Sequence, residues 1–137
     1  MTKELKDKLY VNYQGLFSRK DLPMSQTCMC WGIEVGDGWY NLIDELCSKL
    51  VALHPNIRAD QVKEKYGTLR FYISSEGKVP ATLMDKAYDL EDEYETKSST
   101  ICEECGNVGL LRGNGWLRTL CDAHATAMGY GPIEDMP

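Results

Sequence analysis

The stretch ICEECGNVGLLRGNGWLRTLCDAHATA, Ile101 to Ala127, decides how this chain is read. Two residues separate Cys102 from Cys105, two separate Cys121 from His124, and fifteen lie between the pairs. That spacing brings four soft donors around one tetrahedral ion and reads as a zinc site. A Cys-x-x-Cys loop turns both sulfurs toward one point, and Gly106 directly after it permits the positive φ of such a knuckle. Between the pairs, Val108, Leu110, Leu111, Trp116, Leu117 and Leu120 flank a Gly113-Asn114-Gly115 turn, which predicts a hairpin. Cys121 and His124 are one helical turn apart, so both can point inward from the start of a helix. Knuckle, hairpin and helix follow one another as in a treble-clef or zinc-ribbon-like module. No open coordination position with a nearby general base is evident, so a structural Zn2+ is expected.

Moving outward, the 137 residues amount to one modest domain with the metal module attached, and 43% hydrophobic residues exclude a disordered chain. No apolar run approaches the roughly 20 residues of a membrane span. The opening MTKELKDKLY lacks the apolar region of a secretion signal, so a cytoplasmic protein with reduced thiols is expected. The formal net charge of −6 disfavours long nucleic acid unless a local basic patch exists.

The rest of the chain predicts an α+β core over residues 1–98, ordered helix, loop, helix, β-hairpin, helix. The zinc module and tail occupy 99–137, packed with the core as one unit. Leu5, Leu9, Tyr13 and Leu16 or Phe17 recur at helical intervals over Lys3–Phe17. Ser18 to Gly38 reads as a long loop. Trp39, Leu42, Ile43, Leu46, Cys47, Leu50 and Leu53 form the stripe of a second helix that Pro55 ends. From Asp60 to Ser74 the period becomes two, giving two strands of a small antiparallel hairpin around Gly67. Ala81 to Thr96 is again helical, with Leu83, Ala87, Leu90 and Tyr94 on one side and Asp85, Asp89, Glu91, Asp92, Glu93 and Glu95 on the others. The tail after Met128 is expected to be irregular.

Several further residues are candidates for chemistry. Glu34, Asp37, Asp44 and Glu45 cluster around WGIEVGDGW without the spacing of a calcium loop. Their structural account is that Asp37 or Gly38 caps the second helix while Trp31 and Trp39 bury their rings. His54 stands alone at a helix end and reads as a dipole partner. Cys28 and Cys30 lack further ligands, and Cys47 reads as core. A metal-dependent nuclease would need a histidine base near the hairpin, where the chain offers Asn107, Asn114 and the already committed His124. No catalytic residue is assigned.

The surface best suited to a ligand is the polar side of the first hairpin: Lys63, Lys65, Arg70 and Tyr72, extended toward Arg112 and Arg118. Cations with an aromatic between them suit phosphates and a stacked base. The competing account is a solvated strand face whose cations pair with the acidic third helix.

Three blocks, WGIEVGDGWYNLIDELC, QVKEKYGTLRFYIS and ICEECGNVGLLRGNGWLRTLCDAHA, resemble a family of small proteins of unassigned function encoded by tailed phages and prophages. The resemblance runs from about Trp31 to Ala127. It implies a bacterial cytoplasm during infection or lysogeny, and Cys102, Cys105, Cys121 and His124 match the family's metal pattern. The resulting expectation is a non-enzymatic, zinc-stabilised accessory binding protein. It would act in counter-defence or host takeover, by binding a host protein or sequestering a small phosphorylated nucleotide. The alternative is nucleic-acid binding through the basic hairpin face and the zinc module. A homo-oligomer is compatible with either.

Overall fold

In the computed structural model, Thr2 starts helix α1 (Lys3–Asn12), its side chain accepting the Leu5 amide at 3.4 Å. The structure describes residues 1–113 and 115–133. Asn114 of the expected glycine turn and residues 134–137 of the expected irregular tail lie outside the described residues. Helix α1 is shorter than its periodicity predicted. Tyr13 leaves helical dihedrals and donates its hydroxyl to Asp44 Oδ1 at 2.7 Å, so Leu16 and Phe17 enter the core from a turn.

The region read as loop contains a strand, β1 (Ile33–Glu34), which pairs in parallel with β2 (Ile57–Lys65). Strand β3 (Thr68–Ser75) runs antiparallel to β2, giving the order β1-β2-β3. The sheet is therefore mixed, which corrects the expectation of a purely antiparallel one. Two residues of β1 carry too short a pattern to stand out, yet Ile33 and Val35 are buried against the core. Trp31 also departs from expectation: it is 60% exposed, and Met29 beside it is buried instead.

Helix α2 (Tyr40–Leu53) buries the predicted stripe, with Trp39, Ile43, Leu46, Cys47 and Leu50 fully enclosed. Asp37 does not cap this helix, which follows directly from a 3₁₀ turn over Asp37–Trp39 without a side-chain cap. Asp37 Oδ1 instead accepts the Thr2 amide at 2.7 Å. Asp44 takes Tyr13, and Glu45 accepts the Tyr94 hydroxyl at 2.7 Å, so two of the clustered carboxylates hold helices together. His54 lies just past the helix and its Nδ1 accepts the Asn56 amide at 3.0 Å, closing a turn.

Strand β2 begins three residues before the expected start and carries a bulge. Ala59 pairs with Ile73 and Gln61 with Tyr72, leaving Asp60 as the inserted residue. The bulge lets Ile57, Ala59 and Val62 all face the core and aims Asp60 at Arg19 and Ser74. Tyr66 and Gly67, both at positive φ, make the two-residue hairpin turn. Helix α3 (Ala81–Ser98) lies along β3 and against α2. Ser98 Oγ accepts the Leu69 amide at 2.8 Å, satisfying a donor on the free edge of β3.

Beyond α3 come a second hairpin, β4 (Leu110–Gly113) and β5 (Leu117–Leu120), and helix α4 (Asp122–Met128). Cys102, Leu120 and Ala125 form their own small buried cluster. Among the described residues, no helix is long and apolar enough to cross a membrane.

Glu91 on α3 is partly buried beside β3, and that burial, reinforced by Asp92, Glu95 and Asp60, raises its carboxyl to about 7 against the Ile73 amide that opposes the rise. The folded chain thus holds this proton to higher pH than the unfolded chain, so stability should fall as pH rises from 4.5 through about 7. Urea midpoints at pH 5 and pH 8 should differ less in Glu91→Gln than in the parent; an equal difference contradicts the assignment.

Candidate metal centre

The knuckle forms because its backbone closes on itself. The Cys102 amide donates to Asn107 O at 2.7 Å and the Gly106 amide to Cys102 O at 2.9 Å, with Gly106 at φ 83°. An isolated bridge between Ile101 and Val108 extends this closure. The hairpin then returns the chain, and the Glu103 amide donates to Thr119 O at 3.0 Å, fastening the knuckle to β5. Cys121 is the N-cap of α4, so its sulfur lies over the first turn, where it accepts the His124 amide at 3.5 Å.

These elements bring all four predicted ligands together, every donor atom within 4.8 Å of the others. Cys105 Sγ lies 3.7 Å from Cys121 Sγ, and His124 Nδ1 lies 3.2 Å from Cys121 Sγ and 3.8 Å from Cys102 Sγ. Around a tetrahedral ion with bonds of about 2.3 Å to sulfur and about 2.0–2.1 Å to nitrogen, donor separations are about 3.8 and about 3.6 Å. The set fits such an ion. The His124 amide, followed by its ring, lowers the Cys121 thiol to about 6, which favours the thiolate a metal requires. Four protein donors would fill the shell of a tetrahedral ion held there.

The knuckle is seated on the core by backbone contact. The Gly38 amide donates to Glu103 O at 2.7 Å, and a Cβ at Gly38 would lie 2.1 Å from Cys102 O and 2.6 Å from the Gly106 nitrogen. The buried Trp39 donates its indole N–H to Ile101 O at 2.8 Å. Glu103 is itself buried, and desolvation raises its carboxyl even though Oε2 accepts the Gly36 amide at 2.9 Å and Arg118 lies beside it. Arg118 also reaches Glu104 at 2.7 Å, and Arg112 pairs with Asp122 at 2.6 Å, so both arginines are engaged within the module.

Lys63, Lys65, Arg70 and Tyr72 do lie on one side of the first hairpin, since Lys63 pairs with Arg70 and Gln61 with Tyr72. Their surroundings differ. Arg70 is ion-paired to Glu95 of α3 at 3.2 Å, and its Nε is buried without a partner. Lys63 stands opposite Glu34 and shares a cleft with Glu64, Glu103 and Trp116. Lys65 sits over the Tyr66 ring at 5.6 Å, and Tyr72 borders a separate groove with Arg19, Cys28 and Asp60. Cys28 is exposed, the Cys30 thiol donates to Thr27 O at 3.4 Å, and Cys47 is buried with its thiol raised by desolvation.

What the sequence reading missed is on the outside of the metal module. Val108 is 84% exposed, Trp116 79% and Leu110 62%, although each was counted as support for the hairpin. Only Leu110 lies within a strand; Val108 precedes β4 and Trp116 precedes β5, so no strand alternation turns those two inward. Comparison of the chain with protein-family models, curated proteins and solved structures finds no match.

The glycine contact yields a direct check. Gly38→Ala should destabilise the protein by about 1–3 kcal/mol in urea unfolding, because a methyl group meets backbone atoms that cannot move without displacing Cys102. A cost under about 0.5 kcal/mol would show that the knuckle is not seated there.

Proposed function

We propose that this chain is a zinc-stabilised, non-enzymatic binding protein whose module is a treble clef and whose partner is another protein. Three cysteines and one histidine in a closed tetrahedral set suit zinc in a structural role. The observation that carries the binding reading is the exposure of Val108, Leu110 and Trp116 on a hairpin anchored by the metal centre. Large apolar side chains held rigidly in water mark interaction surfaces, and tryptophan is a frequent anchor in them. Rigidity matters because side chains already ordered lose less entropy when a partner docks.

On the resemblance to phage-encoded proteins, we propose that this activity belongs to the bacterial cytoplasm, as an accessory function in counter-defence or host takeover. A small phosphorylated ligand on Lys63, Lys65, Arg70 and Tyr72 is the weaker reading, since it would compete with Glu95 for Arg70. Nucleic-acid binding is weaker again: the net charge is −6, and Arg112 and Arg118 are paired with carboxylates.

The test compares the immobilised parent with Trp116→Ala and Leu110→Ala in bacterial lysate. Both exposed positions should tolerate alanine within about 0.5 kcal/mol of parent stability. A protein retained by the parent and lost from both variants supports the proposal. Identical retention by all three, or salt-sensitive retention on heparin that neither variant alters, contradicts it.

A further inference from the structure

We infer that the metal ion is a latch on the amino-terminal helix, acting through the loop from Val35 to Trp39. The inference rests on the metal-centre reading and is independent of the partner proposed above.

The loop is held from two sides. Toward the knuckle, three donors from the stretch Gly36–Trp39 meet three acceptors on two residues, Ile101 and Glu103. The Gly36 amide goes to Glu103 Oε2 at 2.9 Å, the Gly38 amide to Glu103 O at 2.7 Å, and the Trp39 indole to Ile101 O at 2.8 Å. These acceptors flank Cys102, a metal ligand with no exposed surface. Toward the amino terminus, Asp37 Oδ1 accepts the Thr2 amide at 2.7 Å and Val35 O accepts the Met1 amino group. Thr2 is also the cap of α1, so the loop sets where that helix begins.

The knuckle keeps its acceptors aligned because Cys102 and Cys105 are tied through one ion to Cys121 and His124. Among the described residues, Cys102, Leu120 and Ala125 are the buried residues of the module's own apolar cluster. Without the ion those acceptors drift, and the donors of the loop lose partners that burial makes costly to replace. Release of the loop then frees Thr2 and the first turn of α1. Helix α2 beyond its first turn, β2, β3 and α3 pack around Leu46, Val62 and Tyr94 in the main core, which also holds Leu9, Val35 and Trp39, so the core and the later turns of α1 should stay closed. The exception is the Tyr66–Gly67 turn, whose Gly67 O accepts the Thr119 hydroxyl at 2.7 Å. Coupling of this kind is reciprocal: weakening the far side of the latch must weaken metal binding.

Hydrogen exchange of the full chain, metal-loaded and after a chelator, reads the latch directly. Exchange should rise over residues 2–6 and 36–39 together with 101–128, while amides around Leu9, Leu46 and Leu50 stay protected. Competition with a chromophoric chelator supplies the reciprocal measurement. Asp37→Ala, which changes no ligand, should lower zinc affinity by about five-fold or more. Changes confined to residues 99–133 in a protein that does bind zinc overturn the latch alone. Failure of freshly prepared protein to bind zinc overturns both the latch and the metal centre. If chelation unfolds the whole chain, the variant decides: affinity unchanged within two-fold overturns the latch.

Discussion

Four donor atoms from two distant pairs of residues crowd into one small volume, and this convergence is the constraint on which the rest depends. Three sulfurs and a ring nitrogen within 4.8 Å make a coordination shell that the chain supplies in full. The module's own buried cluster is small, Leu120 and Ala125 joining Cys102 inside it, so a bound ion would supply order that apolar burial supplies elsewhere in the chain.

The module is joined to the core by backbone contact as well as by side chains. Gly36 and Gly38 bring backbone against backbone, with an added Cβ meeting the knuckle at 2.4 and 2.1 Å. Trp39 spans the junction, its ring in the core and its N–H on Ile101. One short loop therefore receives the metal knuckle, the start of α1 and the entry to α2. Elsewhere on the hairpin, Trp116 and Leu110 are exposed to water.

Much of this was legible in the residues. The ligand set was readable because Cys-x-x-Cys and Cys-x-x-His encode geometry in spacing alone. Helices α2 and α3 were readable because their stripes repeat over several turns, and β3 because Leu69, Phe71 and Ile73 alternate. Elsewhere a tertiary contact outweighed the local pattern. Strand β1 is two residues long and exists through its pairing with β2. The bulge at Asp60 interrupts the alternation of β2, hiding Ile57 and Ala59 from a period-two reading. Helix α1 stops early because Tyr13 is drawn to Asp44. Asp37, the natural cap for the helix that follows it, serves the helix that precedes it instead. The face of Lys63, Lys65, Arg70 and Tyr72 was placed on one side of the hairpin by alternation, but alternation does not show that Glu95 reaches Arg70 from α3.

The central claim is that an ion bound by three sulfurs and one nitrogen holds the module. X-ray absorption at the zinc edge, on protein prepared without chelator, tests it most directly. The account predicts one zinc per chain with three sulfurs at about 2.3 Å and one nitrogen at about 2.0–2.1 Å. A shell of oxygen and nitrogen alone, or fewer than three sulfurs, would contradict it.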